Sequence, residues 1–199
     1  LLEKNYKEKL QDTFLPDNVK TIIIESIGNQ NIISCKEILG EMLQREEEPT
    51  ILCPIIETLG KLNAVEYGDY IVDKLDSFYW EIKNSSIKAI FHMKYHRAED
   101  NIIQVLRDKE EYEGKFIIEK TIISNFKHEW FKKEYYDVCL SKIFNNDGSI
   151  NTSLFEILQN NHKLIQDDIF KTLQTTEDSF LRAVLLVMLS KTKDIEYAK

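Results

Sequence analysis

At 199 residues and 23.5 kDa, with 43% hydrophobic and 30% charged side chains, the chain has enough apolar surface to fold and is excluded from the disordered class. Six glycines and three prolines are too few to turn the corners of a compact all-β domain. Twenty-six Lys and Arg against 34 Asp and Glu give a formal charge of −8, which repels phosphates and argues against a generic nucleic-acid surface.

No window approaches about 18 uncharged apolar residues, so no membrane span is expected. Leu1-Leu2-Glu3-Lys4 runs straight into charge, without a signal-peptide pattern. The chain does not begin with Met and reads as a possible excised piece. Its expected location is cytoplasmic, or membrane-tethered where an upstream segment supplies the anchor. Cys35, Cys53 and Cys139 form no metal-ligand motif and read as core thiols of a reducing compartment.

In chain order, residues 1–13 make a charged helix that reads as a leftover B helix or as an N-terminal cap. A repeating unit of two helices, A then B, follows. Its anchor is an aliphatic residue late in each A helix: Ile27, Leu59, Ile90, Ile122, Ile157 and Leu189, spaced 32, 31, 32, 35 and 32 residues apart. Sixteen residues beyond the first five anchors stand Leu43, Leu75, Leu106, Val138 and Leu173, and positions +12 and +13 are also mostly apolar, a helical stripe. The pattern predicts A helices over 17–29, 49–62, 79–93, 113–126, 149–160 and 179–191. It predicts B helices over 31–46, 65–76, 97–109, 129–145 and 163–175. Asp17, Glu48-Pro49 and Asp178 mark A-helix starts, and Asn145-Asn146-Asp147-Gly148 is the clearest break. A single helix pair cannot bury its own stripe, so the expected architecture is one stack over 1–199, with units 17–46, 49–76, 79–109, 113–145, 149–175 and 179–199.

Trp80-Glu81-Ile82-Lys83-Asn84-Ser85-Ser86-Ile87-Lys88-Ala89-Ile90 and Asp178-Ser179-Phe180-Leu181-Arg182-Ala183-Val184-Leu185 resemble A helices of HEAT repeats, in particular the short bacterial type of phycobilisome lyase subunits. The resemblance implies an all-α, right-handed α-solenoid of about six helix pairs, with B helices lining a concave binding face. It also implies that a basic residue seven before the anchor (Lys20, Lys83, Lys115 and Arg182 here) pairs with an adjacent unit; Leu52 and Ile150 depart from that pattern.

Ten residues past each anchor stand Glu37, Asp69, Asp100, Lys132 and Asp167. This row reads either as an acidic groove for a basic peptide or protein surface, or as the solvated face of an acidic protein. The fourth B helix, His128-Glu129-Trp130-Phe131-Lys132-Lys133-Glu134-Tyr135-Tyr136-Asp137, carries too many aromatics for one stripe. Phe131 and Tyr135 are expected in the core, and Trp130 or Tyr136 partly exposed beside Lys132 and Lys133, as an interaction hot spot or as filling for extra core. Tyr70 is a weaker candidate of the same kind. His92 and His96 lack a third ligand, so no metal or cofactor is expected, and no nucleophile, phosphate-loop or zinc-protease motif occurs. The leading expectation is a non-catalytic scaffold for a basic protein or peptide. An enzyme or enzyme subunit of lyase or DNA-glycosylase type, and an accessory domain of a membrane-anchored protein, are the alternatives.

Overall fold

The computed structural model describes residues 2–12, 14–145 and 147–190. These residues are all-helical: they form no strand, and Phe144 and Ile150 make only an isolated bridge. The α-helices are α1 (Leu2–Gln11), α2 (Asp17–Asn29), α3 (Lys36–Arg45), α4 (Pro49–Lys61), α5 (Gly68–Asp73), α6 (Trp80–His92), α7 (Glu99–Arg107), α8 (Lys115–Asn125), α9 (Tyr136–Ser141), α10 (Thr152–Asn160), α11 (Gln166–Thr175) and α12 (Ser179–Ser190). Helices α2, α4, α6, α8, α10 and α12 occupy the expected A positions, and α3, α5, α7, α9 and α11 the B positions. Residues 191–199 of the last expected unit, Leu1 and Thr13 of the N-terminal cap, and Asn146 of the turn cluster lie outside the described residues.

The chain divides into two compact units, Leu1–Asn125 and Phe126–Lys199. The division follows α8, inside the expected repeat 113–145. In the first unit α1 packs on α2, and the A helices pack in sequence, α2 on α4, α4 on α6 and α6 on α8. Each B helix lies against the A helix that follows it: α3 on α4, α5 on α6, α7 on α8. In the second unit α9 packs on α10, and α10 and α11 pack on α12.

The A-to-B turns of the first unit share one hydrogen-bonding scheme. The amides of Ile32, Ala64 and Tyr95 each donate to the carbonyl of the anchor, Ile27, Leu59 or Ile90, at 3.0 Å. The amides of Asn31, Asn63 and Lys94 donate one residue further on, to Gly28, Gly60 and Phe91. This is the Schellman closure, in which the residue after the helix is left-handed and the orphan carbonyls of the last turn are satisfied. Asn31, Asn63 and Lys94 have φ of 52°, 52° and 51°. The sequence periodicity thus marks the residue whose carbonyl closes each turn. A 3-10 turn follows each closure, at Ile33–Cys35, Val65–Tyr67 and His96–Ala98, and leads into the B helix.

The B-to-A connections have their own chemistry. A side-chain oxygen accepts the amide two residues ahead: Asp12 from Phe14, Glu46 from Glu48, Ser77 from Tyr79, Asp108 from Glu110. Such local acceptors replace helical bonds and redirect the chain. Thr176 repeats the arrangement with Asp178, whose carboxylate then caps α12 through the amides of Phe180 and Leu181.

Fully buried aliphatic residues carry the A-helix interfaces, among them Ile24, Ile27, Ile55, Ile56, Leu59, Ile87 and Ile90. Each is worth about 1.5–3 kcal/mol of burial. The exposed Lys88–Glu57 pair at 3.0 Å adds at most about 1 kcal/mol, so apolar packing dominates. Hydroxyl groups knit the same interfaces. Thr58 donates to the carbonyl of Ile24 at 3.1 Å, and Thr121 to Asn84 at 2.7 Å. Pro54 lies inside α4 and has no amide to offer the carbonyl of Thr50; Thr21 of α2 supplies a donor instead, at 3.3 Å. A Cβ at Gly60 would stand 2.8 Å from Cα of Ala89, so α4 and α6 approach as closely as two backbones without an intervening side chain.

The expected helix over 129–145 is corrected. It is broken into 3-10 turns at His128–Trp130 and Lys133–Tyr135 and the six-residue α9. The basic position seven before the anchor does not act uniformly. Lys20 pairs with Asp17 of its own helix, Lys115 Nζ donates to the carbonyl of Glu110, and Lys83 Nζ sits 5.0 Å from the Tyr112 ring centroid.

Two substitutions separate these contributions. Gly60→Val forces apart α4 and α6 and is expected to cost about 1–3 kcal/mol in urea unfolding. Lys94→Gly relieves a left-handed residue and is expected to stabilise by about 0.5–1 kcal/mol, the left-handed penalty less the extra entropy of glycine. A destabilised Lys94→Gly chain would rule out the closure described.

Candidate interaction surface

The expected acidic row sits at the start of the B helices. Glu37, Asp69 and Asp100 are exposed in the first turns of α3, α5 and α7, and Asp167 in the first turn of α11. Lys132 is exposed just before the 3-10 turn at Lys133–Tyr135. None of α3, α5, α7 and α11 has a side-chain N-cap bond, because each is entered from a turn already hydrogen-bonded to its own backbone. A carboxylate in the first turn then faces the positive end of the helix dipole, worth about 0.3–1 kcal/mol. This is a folding reason for acidic residues to recur in that register, and it leaves their outer oxygens toward solvent.

Asp69 ties two repeats together. The Tyr95 hydroxyl donates to Asp69 at 2.6 Å, joining the start of α5 to the turn after α6. The Tyr95 ring lies over Gly68, where a Cβ would collide with it. Lys36 makes an equivalent tie, donating to the carbonyl of Asn63 at 3.0 Å with Glu66 3.7 Å away. Asp69 is therefore a joint between repeats as well as a surface carboxylate, a role signalled by Tyr95 and missed in the sequence. Tyr70 is exposed, as a surface candidate should be.

The aromatic segment departs from expectation. Phe131 and Tyr135 are buried as expected, but Trp130 and Tyr136 are buried too, at 2% and 8% exposure. The expectation assumed one continuous helix, on which these four rings would span too wide an arc; the two 3-10 turns break the arc and turn each ring inward. The Tyr136 hydroxyl donates to Thr172 at 3.1 Å. Burial pushes the Tyr136 phenol up, against the opposing bond to Thr172. Lys133 Nζ stands 3.3 Å from Asp168, and Lys132 Nζ 5.4 Å from the Tyr135 ring centroid. Trp130 and Tyr136 offer no exposed hot spot.

Among the described residues no three His, Cys, Asp or Glu are grouped to hold a metal. His96 Nδ1 lies 2.7 Å from Glu99, and His92 is exposed. A cleft of about 380 Å³ between α2 and α4 is lined by Glu25, Asn29, Cys53, Pro54, Glu57 and Lys61. Lys61 donates to Asn29 across it at 3.0 Å, and Glu57 accepts from Ser85 and Lys88 of α6 at 3.0 Å. Burial raises the Cys53 thiol, outweighing its hydrogen bond with Ser85, so the sulfur is held protonated. Cys35 and Cys139 are buried, and none of the three cysteines is in a disulfide. No helix among the described residues is long and apolar enough to cross a membrane.

Sequence periodicity also missed a set of exposed rings. Phe14, Phe78, Tyr79 and Phe116 are 93%, 96%, 51% and 65% exposed, all at the B-to-A connections or the first residues after them. The signal was their position just before, or at the start of, an A helix, where a core residue has no neighbour to bury it.

No protein-family model matches the chain, and no curated protein matches it.

Two measurements check the electrostatics. Tyr95 is held above the usual phenol range, first by its bond to Asp69, and Tyr67 and Tyr112 are held up first by burial. A phenol with a folded pKa above its unfolded value contributes stability in full below about pH 10 and loses it as pH rises through the folded pKa. Unfolding free energy should therefore fall above pH 10, and Tyr95→Phe should flatten part of that fall; an unchanged alkaline slope would exclude the Asp69 bond. At neutral pH, Cys53 in a Cys35→Ser, Cys139→Ser background should alkylate more slowly than a free cysteine.

Proposed function

We propose that the chain is a non-catalytic interaction scaffold that holds a basic protein or peptide segment. In this reading the helix pairs of the first unit stack as a right-handed α-solenoid of HEAT-like repeats, the second unit is built from the same type of pair, and the protein works in the cytoplasm. What supports it is the recurrence of exposed carboxylates, Glu37, Asp69 and Asp100, in the same turn of successive B helices. Carboxylates presented in a common register raise the encounter rate of a cationic segment, an effect screened over a Debye length of about 8 Å at physiological salt. A bland solvated surface would show no dependence on which carboxylates are changed.

Glu37→Lys and Asp100→Lys together test this. Asp69 is left intact because it also anchors Tyr95. Binding of a fluorescent Lys/Arg-rich peptide is expected to weaken several-fold at low salt, chiefly through the association rate. The control reverses two acidic side chains outside the row, Glu119 and Glu156, at equal net charge. Equal losses in both variants would overturn the B-helix placement.

A further inference from the structure

The A helices of the first unit run parallel. Contacts between α2 and α4 advance along both together, from Thr21–Thr50 through Ile24–Thr58 to Asn29–Lys61. From α4 to α6 they advance from Glu57–Ser85 to Gly60–Ala89. From α6 to α8 the order is Trp80 on Gly114, then Asn84–Thr121. The N-terminal ends of α2, α4, α6 and α8 therefore share one edge, and the four B-to-A connections lie along it.

That edge concentrates two features. The first is charge. Glu46, Glu47 and Glu48 fill the second connection, and Asp108, Glu110, Glu111 and Glu113 dominate the last, with Lys109 as their one cation. The opposite edge, made of the A-to-B turns, carries Lys94 and Arg97 against Glu66. The second feature is the exposed rings. Phe78 and Tyr79 meet edge to face at 5.9 Å between centroids. The Trp80–Gly114 contact brings the connection that bears them against the one preceding Phe116. Helices packed about 8–10 Å apart set the three glutamates between Phe14 on one side and the Phe78–Tyr79 pair on the other.

The edge already binds cations of its own. Tyr112 in the last connection has Lys83 Nζ 5.0 Å and Lys115 Nζ 6.0 Å from its ring centroid. Lys115 Nζ also bonds the carbonyl of Glu110 and lies 3.3 Å from the Glu111 carboxylate. One ammonium is thus held by a ring, a carbonyl and a carboxylate together. Phe78, Tyr79 and Phe116 present the same kind of ring among the same kind of carboxylates, and they are open to solvent.

We propose that this edge is the docking surface for an arginine-rich segment of a protein partner, with guanidinium groups stacking on Phe78, Tyr79 and Phe116 while the flanking glutamates pair with their charge. Guanidinium fits better than ammonium because it is planar, weakly hydrated and able to stack and pair at once. The proposal rests on the reading of the chain as a scaffold for a basic partner and moves the principal contact from the B-helix starts to this edge.

The test compares fluorescein-labelled Arg-Gly and Lys-Gly repeat peptides by anisotropy at physiological salt. The variants are Phe78→Ala with Tyr79→Ala, Phe116→Ala, and the Glu37→Lys, Asp100→Lys pair. The aromatic changes leave the net charge untouched, and melting curves confirm folding. The expected result is tighter binding of the arginine peptide, a loss of about tenfold in the aromatic variants, equivalent to about 1.4 kcal/mol, and a smaller loss in the charge-reversal pair. Equal affinity for the two peptides, or full affinity in the aromatic variants, overturns the edge proposal alone. Absence of binding by the wild-type chain to either peptide overturns both the edge and the scaffold reading beneath it. A dimer in sedimentation that Phe78→Ala dissolves also overturns the edge proposal and gives the surface to a second copy of the chain.

Discussion

The close approach of consecutive A helices is the constraint on which the first unit depends. Gly60 of α4 faces Ala89 of α6 at backbone distance, and hydroxyl bonds join the neighbouring interfaces, Thr58 to the Ile24 carbonyl between α4 and α2 and Thr121 to the Asn84 side-chain oxygen between α8 and α6. Large side chains are excluded from this line, so the isoleucines and leucines that drive folding stand on either side of it. The arrangement also explains how Pro54 is tolerated inside α4. From α2, its other neighbour, α4 receives through Thr21 the donor its own backbone lacks. Packing of this kind fixes the register of each pair, because sliding one helix by a turn would strand Thr58, Asn84 and the Thr50 carbonyl without their partners.

Given parallel A helices, the connecting chain has two ends to manage, and it manages them differently. At the C-terminal ends, left-handed Asn31, Asn63 and Lys94 close the helices on the anchor carbonyls. At the N-terminal ends, Asp12, Glu46, Ser77 and Asp108 redirect the backbone with a side-chain acceptor. Only one of these devices was visible as a repeat in the sequence. The anchors Ile27, Leu59 and Ile90 are apolar and periodic, so they stand out, and they predicted every A helix to within a few residues. The acceptors change identity from Asp to Glu to Ser, and only their bonding is conserved between units.

The limits of legibility have the same physical origin. Apolar periodicity reports which residues face a core but not whether the helix between them is continuous. Residues 128–141 are apolar in the right places, yet two 3-10 turns interrupt them, and four rings fit inside where one helix could hold two. Asp69 was legible as a surface carboxylate but not as the acceptor of Tyr95, because that bond crosses 26 residues and belongs to no local pattern. Phe78 and Phe116 escaped for the opposite reason: they follow no core stripe.

The distribution of charge follows from this architecture. B helices entered through 3-10 turns have no side-chain caps, which favours carboxylates in their first turns. B-to-A connections built on side-chain acceptors favour Asp and Glu a second time. Both pressures place negative charge where the fold needs it, so acidity by itself does not distinguish a binding face from a well-capped helix. Exposed rings do distinguish them. Burying Phe78 or Phe116 would stabilise the chain, and solvating them gains nothing for folding. Within this logic the carboxylates describe how the repeat is built, and the rings at its N-terminal edge are the part of the surface that folding leaves unexplained.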